Sequence, residues 1–433
     1  MNLDDIAEKE LKPTNNDLDH FWIEKKGEIL PDGWAMVEIG KIMEPDRVKI
    51  KKESYDGKIP LVKKLPFKTG KVIFREKNET GTDLLAADEN HLITSKINFH
   101  QGAIAITEDY IAATTHYEFY KVFKNADIKY LWYYFRSNQF KRLFEYEIKF
   151  RGFKKEANYD FIKNFTIPLP IISEQQKIVN VLSTIQKSCE ATEKVIESSI
   201  SLKKSLMAYL FTYGMSRIDE ISEIAMKDNH EGIIRDDWDL KKLSKIIDTG
   251  PQNGLYKPQT FYGDGTFILR IEDYPNEGGI VETAKKRVSL SEDEIQKYKL
   301  NPDEILINRV NSLSHIGKVA LVGEMTENMV FESNMMRFAV NETEVLPEYI
   351  FRFLASSKAR VQMRGKAKRA VSQSSINQGD VKSLIVPVPS LAEQKKIILM
   401  FSSIDQKIQT EINRRDTLSE LFKTIQKDLF NVK

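Results

Sequence analysis

The chain is short of the residues that staple, span or ligate. A single cysteine, Cys189, stands among 433 residues, so no internal disulfide can form and no multi-cysteine metal site can be built. No stretch approaches the roughly 18 consecutive apolar residues of a membrane helix. The opening MNLDDIAEKELK is acidic where a signal peptide carries an apolar segment. Export and membrane insertion are not expected, and the cytoplasm is the expected compartment. Strong charge of one sign is missing too: 65 Lys and Arg against 63 Asp and Glu leave a formal net charge of +2. That balance neither requires nor excludes a polyanionic partner, so the distribution of charge has to decide. The six histidines are dispersed, with no H-E-x-x-H, and metal catalysis has no visible basis. Neither a G-x-x-x-x-G-K-[ST] phosphate loop nor a G-x-G-x-x-G dinucleotide turn is found.

What the chain does have is enough apolar residue, 41%, to fold without outside help, and enough length for two or more domains. It also repeats itself. IPLPIISEQQKI contains Pro168, Pro170, Glu174, Gln175, Lys177 and Ile178; VPVPSLAEQKKI contains Pro387, Pro389, Glu393, Gln394, Lys396 and Ile397, all at one constant offset. Each Pro-x-Pro excludes helix and favours an extended approach, and the Glu-Gln that follows opens a long helical pattern. In the first helix Ile178, Leu182, Ile185, Cys189, Ile196, Leu206 and Leu210 fall on a four-three spacing. In the second the same spacing takes in Ile397, Phe401, Ile404, Ile408, Leu418, Phe422, Ile425 and Leu429. Both spacings are those of a coiled-coil seam, and these apolar residues are the expected helix-pair interface. Polar residues interrupt it: Thr192, Ser199 and Lys203 in the first copy, Glu411 and Arg415 in the second. Either these form a polar patch that fixes register, or the periodicity drifts there and Ile200, Leu202 and Leu421 carry the seam.

The segments ahead of the helices repeat more loosely. GWAMVEIGKI, from Gly33, resembles DWDLKKLSKI, from Asp237, with Trp34 answering Trp238; LITSKIN (Leu92 to Asn98) resembles ILINRVN (Ile305 to Asn311). These β-rich runs closed by glycine suggest strands and hairpins. The fold class is therefore α+β: two mixed α/β heads separated by two long antiparallel coiled-coil helices in a pseudo-twofold internal repeat. Head one takes residues 1–171, the first helix 172–211, a linker 212–234, head two 235–390 and the second helix 391–433. A helix of about 38 residues is about 57 Å long at 1.5 Å per residue, and two of them packed antiparallel would hold the heads apart.

With the paired PLP/PVP-x-x-x-EQ-x-x-I junctions, the Gly-Trp or Asp-Trp opening of each head, the SKIN and NRVN strands and YGDGTFILRIEDY (Tyr262 to Tyr274) in view, the chain resembles the specificity subunit of type I restriction-modification systems over nearly its whole length. The resemblance implies a non-catalytic subunit that recognises double-stranded DNA through two target-recognition domains. Each would read one half of a split, asymmetric sequence. It also implies docking of methyltransferase subunits and then restriction subunits, with S-adenosylmethionine, ATP and magnesium used by those partners and no cofactor in this chain. The first 29 residues have no counterpart in the second half, and no role is assigned to them.

Candidate DNA contacts follow from charge. Arg352, Lys358, Arg360, Arg364, Lys366, Lys368 and Arg369 form a run without an acid, followed by Ser372, Gln373, Ser374, Ser375, Asn377 and Gln378. Cations of this kind neutralise phosphates, and amides and hydroxyls reach phosphates or base edges. Head one has a smaller equivalent in Lys149, Arg151, Lys154 and Lys155. A further candidate is Lys63, Lys64, Lys68, Lys71, Arg75 and Lys77, interleaved with Phe67 and Phe74, for which a charged solvent face is as good a reading. Lys96 and Asn98 answer Arg309 and Asn311; arginine with guanine and asparagine with adenine are common readout pairs. A framework role is the stronger reading, because a feature shared by both heads cannot make them read different half-sites. Trp34 and Trp238 are expected in the core and His116 on a half-buried strand. The halves of the target are expected about one duplex turn apart, centre to centre.

Two other function classes stay in view. Pro45, Asp46, Asp56 and Lys58 loosely match a magnesium-nuclease pattern, although Tyr55 to Lys58 has turn composition. A coiled-coil scaffold whose heads bind only proteins is the third. No adenine-methyltransferase motif is present, since Asn301 and Pro302 continue into Asp303 and Glu304.

Overall fold

The computed structural model describes residues 30–67, 69–151, 156–229, 232–312, 316–369 and 374–430. Four helices set the frame: α1 (Ile128–Phe135), α2 (Ile172–Tyr213), α3 (Pro347–Ala355) and α4 (Leu391–Phe430). The described residues pack into two compact units, 30–193 with 413–430, and 194–412. Packing divides the chain inside the long helices, so each unit consists of one head, the start of the helix that follows it and the end of the other helix.

Pro168, Pro170 and Pro387 sit in edge strands, where a missing N–H is tolerated, and Pro389 follows directly after the second of them. Thr166–Pro170 pairs only with Trp34–Glu38, and Ile385–Val388 only with Asp239–Lys242, both antiparallel. The glutamine of each Glu-Gln then clamps the start of its helix. Gln175 Oε1 accepts from the N–H of Asp127 at 2.7 Å, and its Nε2 donates to the carbonyls of Pro170 at 2.8 Å and Asn125 at 3.3 Å. Gln394 repeats the arrangement with the N–H of Leu346 at 2.8 Å and the carbonyls of Pro389 at 2.9 Å and Glu344 at 3.1 Å. Both glutamines are fully buried, so they are satisfied polar groups that tie a long helix to the short one beside it. The hydroxyls of Tyr130 (α1) and Tyr349 (α3) each donate at 2.9 Å, to Pro168 and Pro387.

The other end of each unit is closed by the far end of the other helix. Phe430 packs on Tyr130 and Tyr134, and Phe211 packs on Tyr349 and Phe353, with ring centroids 5.6 and 5.3 Å apart in both cases. In the head-one unit Ile178 and Leu182 share a core with Phe422, Ile425, Leu429 and Phe430. In the head-two unit Leu206, Leu210 and Phe211 share one with Ile397 and Phe401. The start of one helix lies beside the end of the other in both units, so the pairing is antiparallel. The polar seam is also settled. Thr192 and Ser199 are 4% and 7% exposed, whereas Ile200, Leu202 and Leu421 are 36%, 59% and 43% exposed. Lys203 pairs with Asp405 and Arg415 with Glu193, so the seam passes through its polar residues.

The heads share one sheet and differ in another. In head one the strands Met43–Pro45, Tyr117–Val122, Leu92–Ser95 and Ile104–Ile106 lie in that order; in head two Ile247–Asn253, Met335–Val340, Ile305–Asn308 and Val319–Val322 repeat it, with Gly279–Val281 added at the edge. The three strands of the second sheet pair antiparallel in head one (Val48–Ile50, Leu84–Ala87, Ile111–Thr114), with a single parallel bridge from Leu61 to Ala112 at the edge. In head two it is mixed: Tyr262–Leu269 pairs antiparallel with Lys286–Val288 and parallel with Met329–Phe331.

Three expectations change. The 212–234 stretch read as a linker is folded, with a hairpin of Met226–Asn229 and Gly232–Arg235. Glu393 gathers it in, accepting from the N–H of Met215, Arg235 Nη1 and Trp238 Nε1, each at 3.2 Å; nothing in the sequence signals this, because the partner is remote in the chain. His116 is exposed in the turn between Ile111–Thr114 and Tyr117–Val122. Trp238 is buried, but Trp34 is only half-buried.

Candidate nucleic-acid interface

The acid-free run of head two divides on folding. Arg352 lies on the inner face of α3, where its guanidinium pairs with Glu348 Oε1 at 2.8 Å and with Asp405 of α4. Lys358 donates to the Phe211 carbonyl at 3.2 Å and to Thr212 Oγ1 at 2.6 Å. Its ammonium therefore sits at the C-terminus of α2, where the helix dipole favours a cation, while burial holds its pKa below the usual lysine range. Arg360 reaches back to the Asn276 carbonyl and burial lowers its pKa in the same way. Inspection of sequence missed the partners of all three, since Glu348, Asp405, Phe211 and Asn276 come from elsewhere in the chain or from the opposite end of a helix turn.

Arg364, Lys366 and Lys368 lie beyond that point, exposed or half-exposed on the end of the helix Ser357–Lys366 and on the strand Lys368–Arg369. This strand pairs antiparallel with Ser374–Ser375, which pairs in turn with Val310–Asn311. The register aligns Arg369 with Ser374 and Ser374 with Asn311. Two stretches that the sequence offered separately are thus neighbours in one three-stranded sheet. Gln373 and Ser372 lie outside the described residues.

Replacing Arg352 with alanine, which leaves Glu348 and Asp405 short of a partner, is expected to cost about 2–3 kcal/mol after allowance for their partial exposure. Alanine at exposed Arg364 is expected to cost under about 0.5 kcal/mol. Equal effects on urea unfolding would show that the run is not divided in this way.

Lys96 and Arg309 share a framework task. Lys96 Nζ donates to the Thr115 carbonyl at 2.9 Å and pairs with Glu118 at 3.3 Å, while Arg309 Nη1 donates to the Ser333 carbonyl at 3.2 Å. Their own carbonyls accept from the N–H of Ala157 at 2.6 Å and Ile376 at 2.9 Å, which returns each chain toward its Pro-x-Pro strand. Asn98 precedes the turn Phe99–Gln101, its backbone carbonyl accepting from the N–H of Gln101 at 3.0 Å, and Asn311 is placed by its strand pairing. In head one the helix Asn138–Arg151 carries Lys149 and Arg151, and Lys154 and Lys155 lie outside the described residues.

The basic and aromatic stretch near residue 70 forms a hairpin of Val62–Lys64 and Ile73–Phe74. Its connecting loop is fixed to α1: Trp132 Nε1 donates to the Gly70 carbonyl at 3.3 Å and Arg136 Nη2 to that of Phe67 at 3.1 Å. Arg136 also lies 4.2 Å from the Trp132 ring centroid, and burial pulls it down to about 10. A Cβ on Gly70, whose φ is +59°, would fall 2.4 Å from Trp132, so glycine is required. The anchored hairpin leaves Lys63, Lys64, Phe67 and Phe74 exposed. Lys68 lies outside the described residues.

The nuclease-like string is not assembled into a cluster. Asp56 accepts from the N–H of Lys58 and pairs with its ammonium at 3.0 Å across a turn with Gly57 at φ +79°. Asp46 faces His91 at 3.2 Å. Among the described residues no group of three or more His, Cys, Asp or Glu could hold a metal, and no helix is long and apolar enough to cross a membrane.

Comparison with known proteins adds the family context. The profile of the type I restriction modification DNA specificity domain matches twice, over residues 31–202 and 235–420. The chain is 33% identical over 199 residues to the type I restriction enzyme MjaX specificity subunit of Methanocaldococcus jannaschii, a match that takes in 46% of this chain and 47% of that one, so the chain spans about half the length of this relative. To the MjaVIII specificity subunit of the same organism it is 24% identical over 415 residues, 93% of each chain. Among solved structures, the type I restriction-modification S subunit from M. genitalium is similar in fold, with a TM-score of 0.53 at 16% identity over 97% of this chain and 98% of that one.

Proposed function

We propose, because this chain belongs to the type I restriction modification DNA specificity family, that it is the subunit that reads DNA for a type I restriction enzyme and supplies the surface on which methyltransferase and restriction subunits assemble. The chain itself performs no catalysis. Methyl transfer with S-adenosylmethionine, and ATP- and magnesium-dependent cleavage, fall to those partners.

The observation that carries this reading is a frame built twice and finished differently. The Pro-x-Pro strand, the buried glutamine, the tyrosine and the terminal phenylalanine recur in both units, while the second sheets are built from different strand sets: a parallel strand pair in head two, and an antiparallel sheet with one parallel bridge in head one. Two unlike readers on like frames suit an interrupted target with unequal halves. In head two the residues proposed to face the duplex are Arg364, Lys366, Lys368, Arg369 and Gln373, with Arg360 at the buried margin. In head one they are Arg151, Lys154 and Lys155. Lys96, Asn98, Arg309 and Asn311 hold the sheets that present them.

Methylation mapping in cells carrying the complete system tests this directly. One modified sequence with two different halves separated by unspecified bases is the expected outcome. A continuous or palindromic site, or methylation that persists unchanged when this chain is deleted, would remove the reading.

A further inference from the structure

We infer that α2 and α4 are keyed to each other by side chains that differ between the two copies, so that each helix accepts the other and rejects a second copy of itself. The consequence for target symmetry rests on the proposed DNA reading; the pairing itself does not.

The first key lies in the head-two unit. Lys203 of α2 places Nζ 2.5 Å from Asp405 Oδ1 of α4, the other carboxylate oxygen of Asp405 accepts from Arg352 of α3, and Arg352 holds Glu348 at 2.8 Å. Arg352 is 6% exposed, so this network sits against the core. The offset that relates Pro168 to Pro387 converts Asp405 to Gln186, Arg352 to Tyr133, Glu348 to Lys129 and Lys203 to Phe422. In the head-one unit those residues do the same packing without an ion pair. The Tyr133 hydroxyl meets Gln186 Oε1 at 3.0 Å, and the Tyr133 and Phe422 rings lie 6.1 Å apart. One unit is closed by a lysine meeting a carboxylate, the other by a phenylalanine meeting a tyrosine ring.

The second key is near the middle of the helices. Glu193 of α2 pairs with Arg415 of α4 at 3.3 Å, and the positions related by the same offset are Ile412 and Ile196, the latter buried.

Two α2 helices from separate chains, packed in the same antiparallel way, would set Lys203 against Tyr133, Gln186 and the cation of Lys129, and Glu193 against Ile196. Two α4 helices would set Phe422 against Asp405 and Glu348, with only Arg352 to balance them, and Arg415 against Ile412. Both self-pairings break both ion pairs and strand partly buried charges, which is how polar seam residues reject wrong partners. The outcome is a molecule with one of each reader. A self-paired assembly would carry two identical readers and would suit a palindrome.

The test uses the intact protein with a specific protease site inserted in the exposed turn Ile218–Glu223, so that cleavage removes the tether from an already folded molecule. The nicked protein is loosened in urea, returned to buffer so that the pieces can re-sort, and weighed by native mass spectrometry. Pairs made of one N-terminal and one C-terminal piece should exceed self-pairs at least about tenfold. In a nicked variant whose keys are neutralised and made alike (Lys203→Phe, Asp405→Gln, Arg352→Tyr, Glu348→Lys, Glu193→Ile, Arg415→Ile) self-pairs should rise toward about half of all pairs, the random share. Random sorting of the unaltered pieces, or unlike pairing undiminished in the variant, would overturn the inference. Where re-sorting is lost to aggregation, the uncut chain supplies the answer. Glu193→Arg should lower the unfolding midpoint and the added Arg415→Glu should restore it; absence of restoration also overturns the inference.

Discussion

Gln394→Leu lowers the stability of the head-two unit by about 3–5 kcal/mol, since it leaves several buried peptide groups without partners. The side chain is fully buried and serves three backbone groups: the N–H of Leu346 and the carbonyls of Glu344 and Pro389. Leucine is slightly larger and leaves no cavity, so most of the cost comes from three peptide groups left without partners in a site closed to water, at about 1–3 kcal/mol for each group stranded. Gln175→Leu in the head-one unit is expected to behave alike, with Asp127, Asn125 and Pro170 stranded. Urea unfolding followed by tryptophan fluorescence reads both. A loss below about 1 kcal/mol would mean that water or a neighbouring group takes over the glutamine's bonds, and the clamp would have to be abandoned as the reason for the repeated Glu-Gln.

The second large effect is on binding. With Arg364, Lys366, Lys368 and Arg369 all changed to alanine, duplex affinity at moderate salt is expected to fall by about one to two orders of magnitude. The plot of log affinity against log salt should become shallower by about 0.9 for each phosphate that is no longer neutralised. Salt titration separates this from misfolding: a misfolded head binds weakly at every salt concentration, whereas unneutralised phosphates matter most at low salt. The fold should survive, because the structural cations of the run, Arg352 and Lys358, are left in place. Affinity and slope both unchanged would take this cluster out of the interface.

Much of the frame could be read before folding because it is written locally and written twice. A proline pair, an acid and a glutamine at fixed spacing specify an edge strand followed by a helix start wherever they occur. The alternating four-three spacing of Ile178, Leu182 and Ile185 specifies which face of α2 is buried, and these residues are 4%, 0% and 9% exposed. The doubled pattern, more than either copy, carried the family resemblance.

The candidate site was less legible for a physical reason visible in single residues. Charge in sequence does not say whether a cation is buried or stays at the surface. Arg352 and Arg364 stand in the same run, yet α3 turns the first toward Asp405, and the helix after it leaves the second on the surface. In the same way, the three-stranded sheet that sets Ser374 between Arg369 and Asn311 joins strands of two residues each, too short for any periodicity to announce them. The linker misled because the 212–234 assignment rested only on its place between the first helix and head two, and one remote carboxylate, Glu393, organises it.

The sequence by itself determined the duplication, the two long antiparallel helices, the polar interruption of their seam and the family, since each of these is a pattern of spacing or offset that local backbone preference converts directly into structure. Only the tertiary structure decided that the seam passes through Thr192, Ser199 and Lys203 instead of sliding to Leu202, which basic residues are structural, and that one helix pair is closed by ions and the other by an aromatic ring. Those outcomes depend on which groups share a low-dielectric site, and a charge or a hydroxyl acquires its energetic meaning only from the partner placed opposite it.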